Sequence, residues 1–135
     1  MTVRLGYVFI FVPDVPAAVQ FFERAFGLEC QYLDESGMFA ELATGATVLA
    51  FAEDEYASSA NGIAHQRSGT AGASPGISFT FVSDDVPADW QRAVDAGAEV
   101  VAAPASKPWG QVVGYLRDPQ GLIIEVASPV DYQQA

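Results

Sequence analysis

Two short stretches that repeat one another decide the fold: residues 14–20, DVPAAVQ, and residues 85–91, DVPADWQ. Each begins with an aspartate that can cap a helix N-terminus, and each has a proline in the first helical turn, where a missing N–H costs nothing. The two stretches are offset by 71 residues, close to half of the 135-residue chain. An offset of that size predicts a duplicated module.

The residues around the first stretch predict a complete small unit. Leu5–Val12 is rich in β-branched and aromatic residues, which indicates a buried strand. Apolar residues spaced by four and three then predict one helix from Val15, which ends at Gly27. Three short strand-like runs separated by turn residues follow, at Cys30–Leu33, Phe39–Ala43 and Ala46–Ala52.

The same order of elements recurs in the second half of the chain. A strand at Ile77–Val82 precedes a helix from Val86 to Gly97. Three further strands are predicted at Glu99–Ala103, Val112–Leu116 and Leu122–Ala127. Residues 54–75 are rich in Gly, Ala and Ser and lack periodicity, so they predict a mobile linker.

The predicted architecture is therefore α+β, with the order β-α-β-β-β twice in one domain of residues 1–135. Module one covers about residues 5–53, and module two covers about residues 76–128. One helix can cover only one face of its sheet. We expect a curved mixed sheet with a concave groove and with the helices on the outside.

Composition excludes several classes of function. Seventeen acidic and six basic residues give a formal net charge of −11. Such a surface repels nucleic acid and anionic lipid. The longest solid apolar run, Tyr7–Val12, is far too short to cross a membrane. A single cysteine, Cys30, excludes an intrachain disulfide, and we expect a cytoplasmic protein with neither nucleic-acid nor membrane partners.

The C-terminal segment carries a family resemblance. Residues 108–111, PWGQ, and residues 114–125, GYLRDPQGLIIE, resemble a signature of the vicinal oxygen chelate superfamily. That group includes glyoxalases, extradiol dioxygenases, fosfomycin-resistance enzymes and bleomycin-resistance proteins. The resemblance extends in organisation over about residues 5–128 and implies paired βαβββ modules.

The resemblance also implies four metal-ligand positions, one on the first and one on the last strand of each module. In this chain they fall at Tyr7, Leu49 (or Ala50), Ile77 (or Ser78) and Glu125. Only Glu125 has a side chain that binds metal ions readily. The one histidine, His65, excludes a two-His iron site. We expect no cofactor, although an all-oxygen Mg²⁺ or Mn²⁺ site using Glu125 and Glu41 stays open.

The metal-free, bleomycin-resistance-like members fit this pattern best, which implies a homodimer that binds a small, cationic or aromatic molecule in its groove. Aromatic faces beside carboxylates suit such a ligand through stacking and cation–π attraction. Alternation places Tyr7, Phe9 and Phe11 on one face of the first strand. The candidate ligand-binding residues are Tyr7, Phe9, Glu41, Trp109, Tyr115 and Glu125.

Two other functions stay open. One is a diverged metal-dependent enzyme of the lyase, isomerase or dioxygenase type that uses Glu125 as its one catalytic candidate; a glyoxalase-like lyase or isomerase fits the single histidine better than an iron dioxygenase. The other is a fold retained for assembly with an empty groove. His65 is expected on the surface of the linker, with a loop that reaches over the groove as the alternative.

Overall fold

A computed structural model describes residues 3–69 and 74–130 of the chain. Module one contains β1 (Tyr7–Val12), α1 (Val15–Phe26), β2 (Glu29–Leu33), β3 (Phe39–Ala43) and β4 (Val48–Glu53). Module two contains β5 (Ser78–Val82), α2 (Val86–Asp95), β6 (Glu99–Ser106), β7 (Val112–Arg117) and β8 (Ile123–Ala127). The predicted α+β class and the two tandem βαβββ modules are confirmed.

Both helices begin where the repeated stretches predict. The Asp14 carboxylate accepts a hydrogen bond from the Ala17 backbone N–H at 3.0 Å, and Asp85 accepts one from Ala88 at 3.2 Å. These bonds satisfy N–H groups that have no partner within a helix. Helix α1 ends at Gly27, whose φ of 67° is the left-handed conformation that glycine adopts without strain.

Each module forms its own four-stranded mixed sheet, in the orders β1-β4-β3-β2 and β5-β8-β7-β6. The first and last strands of each module pair in parallel, and the remaining pairs are antiparallel. The two sheets therefore have the same topology, and positions in one can be matched to positions in the other through the strand register.

The hydrophobic core joins the two modules through α1. The buried ring of Phe22 lies 5.4 Å from that of Phe51 in the first sheet. It lies 6.0 Å from the ring of Phe79 and 6.1 Å from that of Phe81, both on β5. The two helices also contact one another. The helices thus lie between the two sheets, whereas the sequence led us to expect them on the outside.

The linker is more ordered than its composition indicates. Residues 56–60 form one turn of π-helix directly after β4, and the chain then folds back so that the Ile63 N–H donates to the Ala57 carbonyl at 2.9 Å. Hydrogen bonds between non-adjacent residues hold this part of the linker in a defined conformation, and its mobility stays a prediction. Residues 70–73 of the predicted linker lie outside the described residues. No helix within the described ranges is long and apolar enough to cross a membrane.

Candidate functional site

Each sheet has one face packed on the helices and one face turned away from them, which we call the open face. In β1, Ile10 and Val12 are buried in the core, while Tyr7 and Phe9 on the alternate positions are 52% and 41% exposed. Side chains alternate across a strand, so the partly buried Phe11 shares their face. The first sheet therefore presents three aromatic side chains of one strand on its open face.

These rings continue across the sheet as an aromatic row. The ring centroids of Tyr7 and Phe9 are 6.0 Å apart, and those of Phe9 and Phe39 are 5.6 Å apart. The row ends at Tyr32 on β2, 5.5 Å from Phe39. Rings from β1 and β3 can meet because β4 between them carries the small residues Ala50 and Ala52 on this face, beside Phe9 and Phe39.

A cavity of about 590 Å³ lies against this aromatic row. Its walls combine three sources: the open face of the first sheet, the turn between β2 and β3, and the residues that follow β4. The lining residues are Phe9, Phe11, Asp34, Ser36, Met38, Phe39, Ala52, Tyr56, Asn61 and Ile63. Cavities of this size that are largely apolar with a few polar groups are typical small-molecule sites.

Asp34 supplies the charge in this cavity. The Ser36 hydroxyl and backbone N–H both donate to one carboxylate oxygen, Oδ2, and the Tyr32 hydroxyl donates to Oδ1 at 2.7 Å. These hydrogen bonds, with that of the Ser36 hydroxyl first, hold the pKa of Asp34 below its ordinary value. The carboxylate is therefore ionised at neutral pH and held in one orientation.

Residues 54–67, which we call the roof segment, contribute Tyr56, Asn61 and Ile63 to the cavity wall. His65 Nε2 lies 2.7 Å from an oxygen of Asp54, whose side chain is 2% exposed, and His65 Nδ1 lies 3.0 Å from the Ile63 carbonyl. Both ring nitrogens face acceptors, which suits the doubly protonated imidazolium. The hydrogen bond that His65 donates to Asp54 is the main cause that raises the pKa of His65 above its ordinary value.

His65 also contacts the sheet, because its ring centroid lies 4.8 Å from that of Phe11. Its side chain is 14% exposed. The expectation that His65 is a surface residue of the linker is therefore wrong, and the alternative, a loop that reaches over the open face, describes its position. A second ion pair, between Arg67 and Glu55 at 2.9 Å, connects the two ends of the roof segment.

The open face of the second sheet is polar instead of aromatic. Thr80, Glu125 and Tyr115 lie side by side in one row across β5, β8 and β7. A hydrogen bond to Glu125 raises the pKa of the Tyr115 hydroxyl, and burial and the negative charge of Glu125 add to the shift. Tyr115 and Glu125 thus form a pair of neighbouring titratable side chains on the second open face.

The six side chains expected to bind ligand fall into three places. Tyr7, Phe9 and Glu41 lie on the first open face, where Glu41 accepts a hydrogen bond from the Gln31 amide at 2.9 Å. Tyr115 and Glu125 lie together on the second open face. Trp109 stands apart in the turn between β6 and β7; it is 63% exposed and donates to the Gln111 side chain at 2.7 Å.

Sequence reasoning missed several residues that line the cavity. Phe39 had a usable signal, because it is two residues from Glu41 in one strand and must share its face. Asp34 also had a usable signal, since an Asp two residues before a Ser in a turn often accepts a hydrogen bond from the backbone N–H of that Ser. Tyr56, Asn61 and Ile63 had no signal, because their place over the sheet depends on contacts between distant parts of the chain.

Comparison with protein families gives a match over residues 4–126 to the model described as Glyoxalase/Bleomycin resistance protein/Dioxygenase superfamily. The chain belongs to this superfamily. A comparison with curated proteins gives no match.

Several solved structures share the fold of this chain. A glyoxalase-related enzyme from Fulvimarina pelagi has a TM-score of 0.77 at 20% identity, covering 93% of this chain and 88% of that one. A family enzyme from Burkholderia phytofirmans PsJN has a TM-score of 0.72 at 25% identity, covering 93% and 98%. TioX from Micromonospora sp. ML1 has a TM-score of 0.70 at 22% identity, covering 93% and 98%.

The strand register resolves which residues occupy the four metal-ligand positions that the superfamily implies. Glu125 pairs with Thr80 and Tyr115, and its counterpart Ala50 pairs with Phe9 and Glu41. Leu49 instead points into the core, so Ala50 and not Leu49 holds that position. By the same register Ser78, and not Ile77, is the counterpart of Tyr7.

The resulting donor set does not fit the superfamily's metal. A phenol, a methyl group, a hydroxyl and one carboxylate, from Tyr7, Ala50, Ser78 and Glu125, offer one good ligand for a divalent ion. Within the described residues, no three His, Cys, Asp or Glu side chains are grouped so that they could hold a metal ion.

Proposed function

We propose that this chain is a binding protein for a small, flat aromatic molecule, which it holds without a metal in the cavity of module one. The observation that carries the proposal is the cavity of about 590 Å³ with the stacked rings of Phe9 and Phe39 as its wall. Offset stacking on such rings stabilises a flat ligand beyond the burial of its surface. The net charge of −11 favours a cationic or neutral ligand over an anionic one.

The metal-free part of the proposal is supported by the donor set. Three of the four positions implied by the superfamily carry groups that are weak ligands or none, so Glu125 would have to hold an ion in water almost alone. The aromatic row offers an alternative source of affinity that needs no ion.

A titration with naphthalen-1-ylmethanol tests the proposal. We expect saturable binding by calorimetry, and we expect Phe39→Ala to weaken it about fivefold, since the variant loses a stacking partner worth about 1 kcal/mol. Val101→Ala is the matched control, because it removes an exposed apolar side chain from β6. Absence of saturable binding, or equal weakening by both variants, would overturn the proposal.

A second candidate function rests on Tyr115 and Glu125, which face one another on the paired strands β7 and β8. A phenol beside a carboxylate can pass a proton to or from a bound substrate, as a diverged lyase or isomerase would require. Elemental analysis of protein purified without chelators, followed by Glu125→Gln, tests it. Stoichiometric metal that is lost in the variant would favour this enzyme over the binding protein.

We also propose that the chain forms a homodimer. Strands β1 and β5 are edges of their sheets, and Tyr7, Val8 and Val82 on them are exposed. Such edges are often covered by a second copy of the chain. Sedimentation analysis at micromolar concentration should give the mass of two chains, and a single-chain mass would contradict the proposal. A cytoplasmic location stays a prediction.

A further inference from the structure

We propose that Asp34 is the specificity-determining residue of the cavity and that it selects ligands with a protonated amine next to their aromatic ring. The inference rests on the proposed function, because it names the class of molecule that the same cavity would take: a flat aromatic ammonium compound. Asp34 acts on the ligand directly, since its side chain is part of the cavity wall.

The Asp34 carboxylate is fixed in place and still has room for a donor. An ionised carboxylate offers about four lone-pair sites on its two oxygens. Oδ2 accepts the hydroxyl and the N–H of Ser36, and Oδ1 accepts the Tyr32 hydroxyl. One acceptor site on Oδ1 is left for a donor in the cavity. Because the three bonds already orient the group, a ligand need not order it on binding.

Within residues 3–69 and 74–130, no ion pair involves Asp34. The ion pairs among residues 3–69 and 74–130 are those of His65 with Asp54 and of Arg67 with Glu55. The three hydrogen-bond donors to Asp34 are hydroxyl and amide groups, which carry no net charge. A cation that enters the cavity would therefore be the counter-charge of this carboxylate. A charge-assisted hydrogen bond of this kind is about twice as strong as a neutral one.

Aromatic rings stand beside the carboxylate. Tyr32, which donates to Asp34, lies 5.5 Å from Phe39, and Phe39 lies 5.6 Å from Phe9. Tyr56 contributes a further ring from the roof segment. Ring faces attract cations, and carboxylate and rings together recognise an ammonium group that is attached to an apolar body. An anionic ligand would instead meet the charge of Asp34 directly.

Three probes of nearly the same size separate charge from shape: naphthalen-1-ylmethylammonium, naphthalen-1-ylmethanol and 1-naphthoate. We expect the wild type at pH 7 to bind the ammonium at least about tenfold more tightly than the alcohol, and to bind the naphthoate more weakly than either. In Asp34→Asn the preference for the ammonium should fall to within about twofold, while affinity for the alcohol is kept.

Glu35→Gln is the matched control. It removes the same charge from the adjacent residue, which is exposed and does not line the cavity, so the tenfold preference should survive. Retained binding of the alcohol by Asp34→Asn shows that its cavity is intact.

The outcomes distinguish this inference from the function on which it rests. If the wild type binds none of the three probes, the proposed function fails. If the wild type binds the alcohol and the ammonium equally, or if Asp34→Asn keeps the preference, the cavity is a binding site but Asp34 does not set its specificity. Equal loss of preference in Asp34→Asn and Glu35→Gln would assign the effect to overall charge and overturn the role of Asp34.

Discussion

The two modules have the same strand topology, but the open face of the first is aromatic and that of the second is polar. At matched positions in the sheets, module one has Phe9, Ala50 and Glu41, whereas module two has Thr80, Glu125 and Tyr115. In module one, the small Ala50 leaves space beside the large aromatic rings. In module two, the Tyr115 phenol lies beside the Glu125 carboxylate. The difference shows that the strand topology fixes where side chains stand, while their identity decides whether a face becomes an apolar cavity or a polar pair.

Where helix and sheet pack together, the two modules differ in the sizes of two residues, one on the helix and one on the strand. Val19 of α1 corresponds to Trp90 of α2, and Ala40 of β3 corresponds to Gly114 of β7. A Cβ on Gly114 would lie 2.7 Å from Trp90 Cδ1, so the larger helix residue is accommodated by the smaller strand residue. Each module thus reaches close packing in its own way.

Phe22→Ala should have the largest effect, because this ring packs against both sheets. We expect a loss of about 3–5 kcal/mol in the free energy of unfolding, measured by denaturant titration. The transition should stay single, since the two modules share this part of the core. A variant that unfolds in two steps, with module two unaffected, would show that the modules are independent.

Asp118 should give the turn after β7 a pH-dependent contribution to stability that the turn after β3 lacks, because the first residue of that turn is Thr44. Burial raises the pKa of Asp118 to about 6, although the backbone N–H groups of Leu122, Gln120 and Gly121 oppose the shift. A raised pKa means that the folded state holds the proton more tightly than the unfolded chain does. Stability should therefore fall as pH rises from about 4 to about 6, by roughly 3 kcal/mol at most.

Asp118→Asn removes the titrating proton, so its stability relative to the wild type should increase over that same interval. Urea denaturation at half-unit pH steps measures the difference. Asp84→Asn, which alters an exposed carboxylate two residues before α2, is the control and should follow the wild type. Parallel curves for Asp118→Asn and the wild type would contradict the assignment.

Gly114→Ala tests directly whether the small residue on β7 compensates for the large Trp90 on α2. The added methyl group would meet Trp90 and, at 3.2 Å, Pro104, and we expect a loss of about 1–3 kcal/mol in unfolding free energy. In a Trp90→Val background, which imitates module one, the same substitution should cost much less. A double-mutant cycle with no coupling energy would mean that the two residues do not compensate one another.

The smallest effect is expected from His65→Gln in the roof segment, which module two lacks. The hydrogen bond to Asp54 raises the pKa of His65, so its stabilisation is complete below pH 6.5 and is lost as pH rises through the folded-state pKa. Wild type should exceed the variant in thermal stability at pH 6, and the gap should narrow at higher pH. A gap that does not change with pH would show that His65 contributes by packing on Phe11 alone.

The sequence predicts the parts of the fold that depend on local patterns. The caps at Asp14 and Asp85, the helix stops and the order of elements along the chain all follow from spacing and turn residues, and the structure confirms them. The alternation that places Phe9 with Tyr7 also follows from a local rule. The matching of Ala50 to Glu125 needed the strand register, because a one-residue slip moves a side chain to the other face.

The cavity itself could not be predicted, because it is closed by distant contacts. His65 meets Asp54 and Phe11 across 11 and 54 residues of sequence, within a Gly- and Ser-rich stretch that has no periodicity. Nothing local distinguishes such a segment from an unstructured linker. The helices lie between the sheets for a similar reason, since the packing of Phe22 and Phe26 on β5 joins residues that are distant in sequence.

We propose that the aromatic face of module one, and not the polar face of module two, binds the ligand. A crystal structure of the complex with naphthalen-1-ylmethanol distinguishes the two faces. We expect electron density for the naphthalene ring against Phe9 and Phe39, in the cavity that Tyr56 also lines. Density against Tyr115 and Glu125, with the cavity of module one empty, would contradict the proposal.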